Sequence, residues 1–148
     1  MTVQSMKTMA GHDVVAVDNA EDIGSIKHFV VARDVSRIER LHIDGRKKNA
    51  VFAEWDQLES FGGDRVMVTA ADAPSTSDDE RDVDAAKGDI EILGSRVLDT
   101  AGFEHGKVDD VDFETDTGEI VSISTSEGAV IDADRARSLG SYALIVDA

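Results

Sequence analysis

With 148 residues, no cysteine, 31 acidic and 15 basic side chains and a net charge of −16, the chain has room for one ordinary domain or two very small ones, and for neither a disulfide framework nor a thiolate metal site. The charge opposes undirected binding to nucleic acid, which needs Lys and Arg to displace counterions from phosphates. No apolar run approaches the ~20 residues of a membrane helix and residues 1–10 lack the apolar core of a signal peptide, so the expectation is a cytoplasmic protein without membrane insertion.

In chain order, residues 1–13 read as a loose lead-in anchored only by Met6 and Met9. Val14 to Val17 is rich in β-branched residues, which favour a strand. Asp18 to Asp22 supplies turn chemistry, and Gly24 opens a second strand that runs to Val31. Its apolar positions, Ile26, Phe29 and Val31, leave strict alternation after Ile26. A bulge that bends a strand round a small barrel leaves this mark in sequence. Ile38, Leu41 and Ile43 form a third strand, Asp44-Gly45 a turn, and residues 50–54 a fourth strand. Trp55 to Gly62 reads as one or two helical turns closed by Gly62, and Val66 to Val68 as the closing strand. Residues 72–89 contain the only proline and almost nothing apolar, so they read as an acidic, flexible linker.

Beyond the linker the order returns. Arg96 to Leu98 is a first strand, Lys107 to Glu114 a second with the same parity change (Val108, then Val111 and Phe113), Ile120 to Thr125 a third and Ala129 to Asp132 a fourth. Asp134 to Leu139 is the helical turn, Leu144 to Val146 closes, and Ser60-Phe61-Gly62 falls on Ser138-Leu139-Gly140. Asp18 and Gly24 match Asp99 and Gly106 with one insertion between them. The chain therefore divides into a first unit at 1–71, a linker at 72–89 and a second unit at 90–148. Each unit has about sixty residues, near the lower limit for an independent core, so the two are expected to rest on each other or the molecule to form a homodimer. The first unit holds 11 acidic and 9 basic side chains, the linker 7 and 2, and the second unit 13 and 4, so the two copies differ electrically.

The second copy carries Leu93-Gly-Ser-Arg-Val-Leu-Asp99, His105-Gly-Lys-Val-Asp-Asp-Val111 and Asp116-Thr-Gly-Glu-Ile-Val121, and the first carries Ile23-Gly-Ser-Ile26 and Phe52-Ala-Glu-Trp-Asp-Gln-Leu58. In this it resembles the PRC-barrel family, named after the photosynthetic reaction-centre H subunit. The first copy departs from the pattern at Val35-Ser36-Arg37, where the family has a turn glycine, and Trp55 faces Ala133 in the alignment of the copies. The resemblance implies an all-β fold of two tandem small PRC-type barrels, each with five to six short antiparallel strands and a short helical turn. It also implies a docking module rather than a catalyst, since members sit in reaction-centre subunits, in a ribosome-maturation factor and in archaeal cell-division proteins.

The residues themselves offer little chemistry. His12, His28, His42 and His105 show no metal-ligand spacing, although His28 and His42 are expected to face one another on neighbouring strands. No G-x-S-x-G elbow and no phosphate-cradling glycine loop occurs. No catalytic residue, metal or cofactor is therefore expected. Against the acidic trend, Arg33, Arg37, Arg40, Arg46, Lys47 and Lys48 cluster in the first unit, with Asp34, Glu39 and Asp44 among them. They are the candidate partner-binding residues. The favoured expectation is a non-catalytic adaptor that binds another protein; the alternative is an RNA-processing or ribosome-assembly accessory. RNA is the weaker expectation, because stacking aromatics are missing near the basic residues.

Overall fold

The computed structural model describes residues 2–45, 51–62, 64–77 and 79–148. The chain begins with β1 (Val3–Ser5) and one helical turn, α1 (Met6–Met9). The first unit follows as β2 (Asp13–Ala16), β3 (Asp22–Val31), β4 (Ile38–Asp44), β5 (Val51–Glu54), a 3-10 turn at Trp55–Gln57, β6 (Leu58–Phe61) and β7 (Arg65–Val68). After α2 (Glu80–Ala86) come β8 (Arg96–Asp99), β9 (Glu104–Glu114), β10 (Ile120–Thr125), β11 (Val130–Asp132), a 3-10 turn at Ala133–Arg135, β12 (Ala136–Leu139) and β13 (Leu144–Val146).

These strands form two sheets with one plan. The first runs β5-β4-β3-β2-β7-β6, the second β11-β10-β9-β8-β13-β12, with β1 added on β9. The expected closed, wholly antiparallel barrels are corrected on two counts. Each sheet contains one parallel pair, β2 with β7 and β8 with β13, and among the described residues each ends in two edge strands instead of closing. The reason lies in the burial. The inward faces of the two sheets meet in a common core, so each sheet covers for the other the apolar surface that a barrel would enclose alone.

The parity changes read from sequence are bulges. Ile26 pairs with Ile43 and His28 with His42, which leaves Lys27 as the extra residue; Val108 pairs with Thr125 and Asp110 with Ser124, which leaves Asp109. Both extra residues are exposed. The expected helical turns at Trp55–Gly62 and Asp134–Leu139 shrink to the two 3-10 turns, and β6 and β12 occupy the rest. A bulge explains the misreading. Each of these strands has a register shift, between Leu58 and Ser60 and between Ala136 and Ser138, and the bulged strand spaces Leu58 from Phe61 as a helix would.

The two units meet through matching turns. Ile38 N–H donates to the Gly118 carbonyl (2.8 Å) and Ile120 N–H to that of Ser36 (3.1 Å), with Arg37 bridged to Glu119 between them. Position for position, the contact is reciprocal, as in a two-fold interface. Phe113 fills the joint, with Trp55 edge-on (5.9 Å, 90°) and Phe29 and Phe61 at 5.9 and 5.6 Å. Such pairs each add roughly 0.5–1.5 kcal/mol beyond their burial, enough to make two units of this size interdependent. Gly118 is required here: its φ is +78°, and a Cβ would lie 2.9 Å from the Trp55 ring. In the first unit the matching turn instead carries Val35 at φ +63°, an outlier for a β-branched residue, held there by complete burial of its side chain.

Two segments read as loose are built in. The lead-in pairs across to the second unit through β1 on β9, and Met6 and Met9 are fully buried. The acidic 72–89 segment holds α2, capped by the Asp79 side chain on the N–H groups of Arg81 and Asp82, and buries Ala85 against Val30 and Phe52.

Candidate protein-interaction surfaces

Each sheet has an outer face turned away from the common core. On the first unit it carries His28 and Val30 from β3, Arg40 and His42 from β4, and Phe52 and Glu54 from β5. Strand alternation puts them there, because Ile26, Phe29, Val31, Leu41, Ile43, Val51 and Ala53 take the core side. The chain covers this face itself. Ser75 adds to the edge of β5 with two bonds, Phe52 N–H to the Ser75 carbonyl (2.8 Å) and Ser75 N–H to that of Phe52 (3.0 Å). α2 then lies across the face, and Arg40 binds both Asp82 of the helix and Glu54. Asp82 also accepts the Ser77 hydroxyl (2.6 Å), and Arg81 donates to the carbonyls of Val31 and Leu139, one from each unit.

Beneath this cover the expected histidine pair is present. His28 and His42 are cross-strand partners whose rings stack at 5.3 Å and 8°, with Phe52 on the far side of His42 at 5.3 Å. His28 Nδ1 lies 3.2 Å from Glu91, whereas the buried His42 Nδ1 has no hydrogen-bond partner among the described residues. Burial, then the neighbouring His28 and Lys27, hold the His42 pKa below its ordinary value. Among the described residues no group of three or more His, Asp or Glu is placed to hold a metal. In the second unit His105 lies 2.7 Å from Asp99, whose other oxygen accepts the N–H groups of Ala101 and Phe103. These bonds, that of His105 foremost, keep the Asp99 carboxyl below the usual carboxylate range. They fasten the β8–β9 turn.

The basic residues singled out in the sequence do not form one field. Arg33 and Arg37 are exposed on the turn between β3 and β4, whose main chain is engaged with the second unit. Arg40 lies under α2, neutralised by two carboxylates. Arg46, Lys47 and Lys48 lie outside the described residues. Sequence reasoning missed Arg81 and Asp82, although Asp79 followed by Glu80 and Asp82 is a recognisable helix start.

The second unit's outer face is built from equivalent positions with different residues: Asp110 and Asp112 from β9, Ser122 and Ser124 from β10, Val130 and Asp132 from β11. Val130 stands opposite Ser124 as Phe52 stands opposite His42. Phe52 is 4% exposed, Val130 67%. Among the described residues no strand pairs with β11 beyond β10.

No helix among the described residues is long and apolar enough to cross a membrane. No curated protein matches the chain. The family model of the PRC-barrel domain matches residues 87–147, a span that takes in the whole second sheet except β1. A PRC-barrel domain, of a family that is often a protein-interaction module, is thus found at residues 87–147.

Proposed function

We propose that the protein is a non-catalytic, protein-binding adaptor, with the first unit a second and diverged module of the PRC type. The observation that carries this reading is the reciprocal joint between two sheets of one strand order, which holds two outer faces of unlike charge in a fixed relation. A PRC-barrel domain at 87–147 supports it, since that family is often used for protein contacts. The RNA-accessory alternative has less support: of the basic residues proposed for it, Arg40 is committed to Asp82 and Glu54.

Affinity purification of the full chain at moderate and high salt tests the reading. One stoichiometric protein partner is expected, and no partner in either buffer would overturn it. RNA retained by the purified chain at low salt, and lost on reversing Arg33 and Arg37 to Glu, would favour the alternative.

A further inference from the structure

We propose that the edge of β11 and the acidic outer face beside it take an extended, basic segment of a partner protein, added as an antiparallel strand next to Val130. The proposal rests on the adaptor reading and specifies its surface.

The first unit shows how such a face is closed. Its edge strand β5 receives Ser75 through the outward N–H and C=O of Phe52, and the segment continues across the face as α2. β11 holds the same place in the second sheet, at the end of an identical strand order. The Ala129 carbonyl points inward and accepts Thr125 N–H at 2.9 Å. Alternation therefore turns the N–H and C=O of Val130 outward, as at Phe52. Among the described residues these ladder groups are unpaired on an exposed edge, the ordinary template for strand addition, and the Val130 side chain is exposed beside them.

Charge says what kind of strand fits. On the first unit the sheet supplies the cation, Arg40, and the covering segment the anion, Asp82. On the second unit Ser122 stands where Arg40 does, and the sheet supplies carboxylates instead. Asp112 and Asp132 stand on the outer face, and neither takes part in an ion pair among the described residues. Among the described residues Asp110 beside them accepts the Ser5 hydroxyl and the N–H groups of Lys7 and Val111. A segment carrying Lys or Arg at alternate positions answers these carboxylates while its main chain pairs with Val130. A second copy answers them badly, because joining two β11 edges brings both sets of carboxylates onto one continuous face.

The test is a titration of the 15N-labelled full chain with a synthetic heptapeptide alternating lysine and valine, and with its glutamate–valine counterpart. Saturable shifts are expected at the amides of Ser124, Val130 and Asp132 with the lysine peptide alone. Val130→Pro removes an outward N–H without touching the β10 ladder, and Asp132→Lys reverses a charge. Each should weaken binding roughly ten-fold, equivalent to about 1.4 kcal/mol. Shifts centred elsewhere, equal binding of the two peptides, or unchanged affinity in both variants would overturn the proposal. So would wild-type self-association in sedimentation that Val130→Pro abolishes, since a second copy would then occupy the edge. A natural partner retained undiminished by both variants would overturn this surface and leave the adaptor reading standing, whereas a wild-type chain without any partner would overturn the adaptor reading.

Discussion

Phe52 and Val130 occupy one position in two copies of a strand order, and their surroundings differ completely. Phe52 is roofed by Ala85 and bordered by Ser75; Val130 is exposed at an edge that no other described strand covers. The strand plan alone therefore does not decide whether an edge is free. What decides it is the connecting segment, which follows the first unit and folds back onto it, while no equivalent segment among the described residues lies on the second. Edge strands are ordinarily blunted by charge, shortness or cover. The first unit uses cover, and the second relies on the three-residue length of β11 and the charge of Asp132.

Paired substitutions turn this difference into measurements. Phe52→Ala should cost about 3 kcal/mol or more, as for other large-to-small core changes, and Val130→Ala should stay within about 0.5 kcal/mol, as for an exposed site. Equal losses in urea titrations would break the comparison. Next in size, Asp82→Ala strips Arg40 of one carboxylate and Ser77 of its acceptor, at about 2 kcal/mol for a part-buried pair. Asp132→Ala should be neutral within about 0.5 kcal/mol.

The smallest effect is that of pH. Burial, with His28 and Lys27 nearby and Asp44 opposing them, depresses the pKa of His42 below its ordinary 6.5. The unfolded chain then binds a proton that the folded chain refuses. Stability is full above pH 6.5 and declines as the pH falls through that value towards the depressed one. His42→Gln should flatten the urea midpoint between about pH 7.5 and 5.5, a window that spans the ordinary histidine range; an unchanged slope would remove His42 as its source.

Much of the fold was legible because it was written in local pattern. The bulges at Lys27 and Asp109 appear in sequence as a change in which parity is apolar, and the shared strand order places Leu58 and Ala136, Phe61 and Leu139 in matching strands. The parallel pairing of β2 with β7 and of β8 with β13 was not legible, since it joins segments about fifty residues apart and leaves no local trace. Register also revises one match. Val17 and Thr100 bond to Val68 and Val146 in the same way, so the position equivalent to Asp99 is Ala16, not Asp18. The cover over the first unit was hidden for a different reason. α2 buries little more than Ala85 and Asp82, too small an apolar face to stand out in an acidic stretch. The basic residues misled in turn, because charge counted along the chain does not reveal that Arg40 is already paired.

Amide hydrogen exchange at two residues tests the central claim most directly. The Phe52 N–H, bonded to Ser75 at 2.8 Å, should exchange only when the covering segment lifts, and the Val130 N–H should exchange at a rate close to that of an unstructured peptide. Comparable protection at Val130 and Phe52 in the isolated chain would contradict the account.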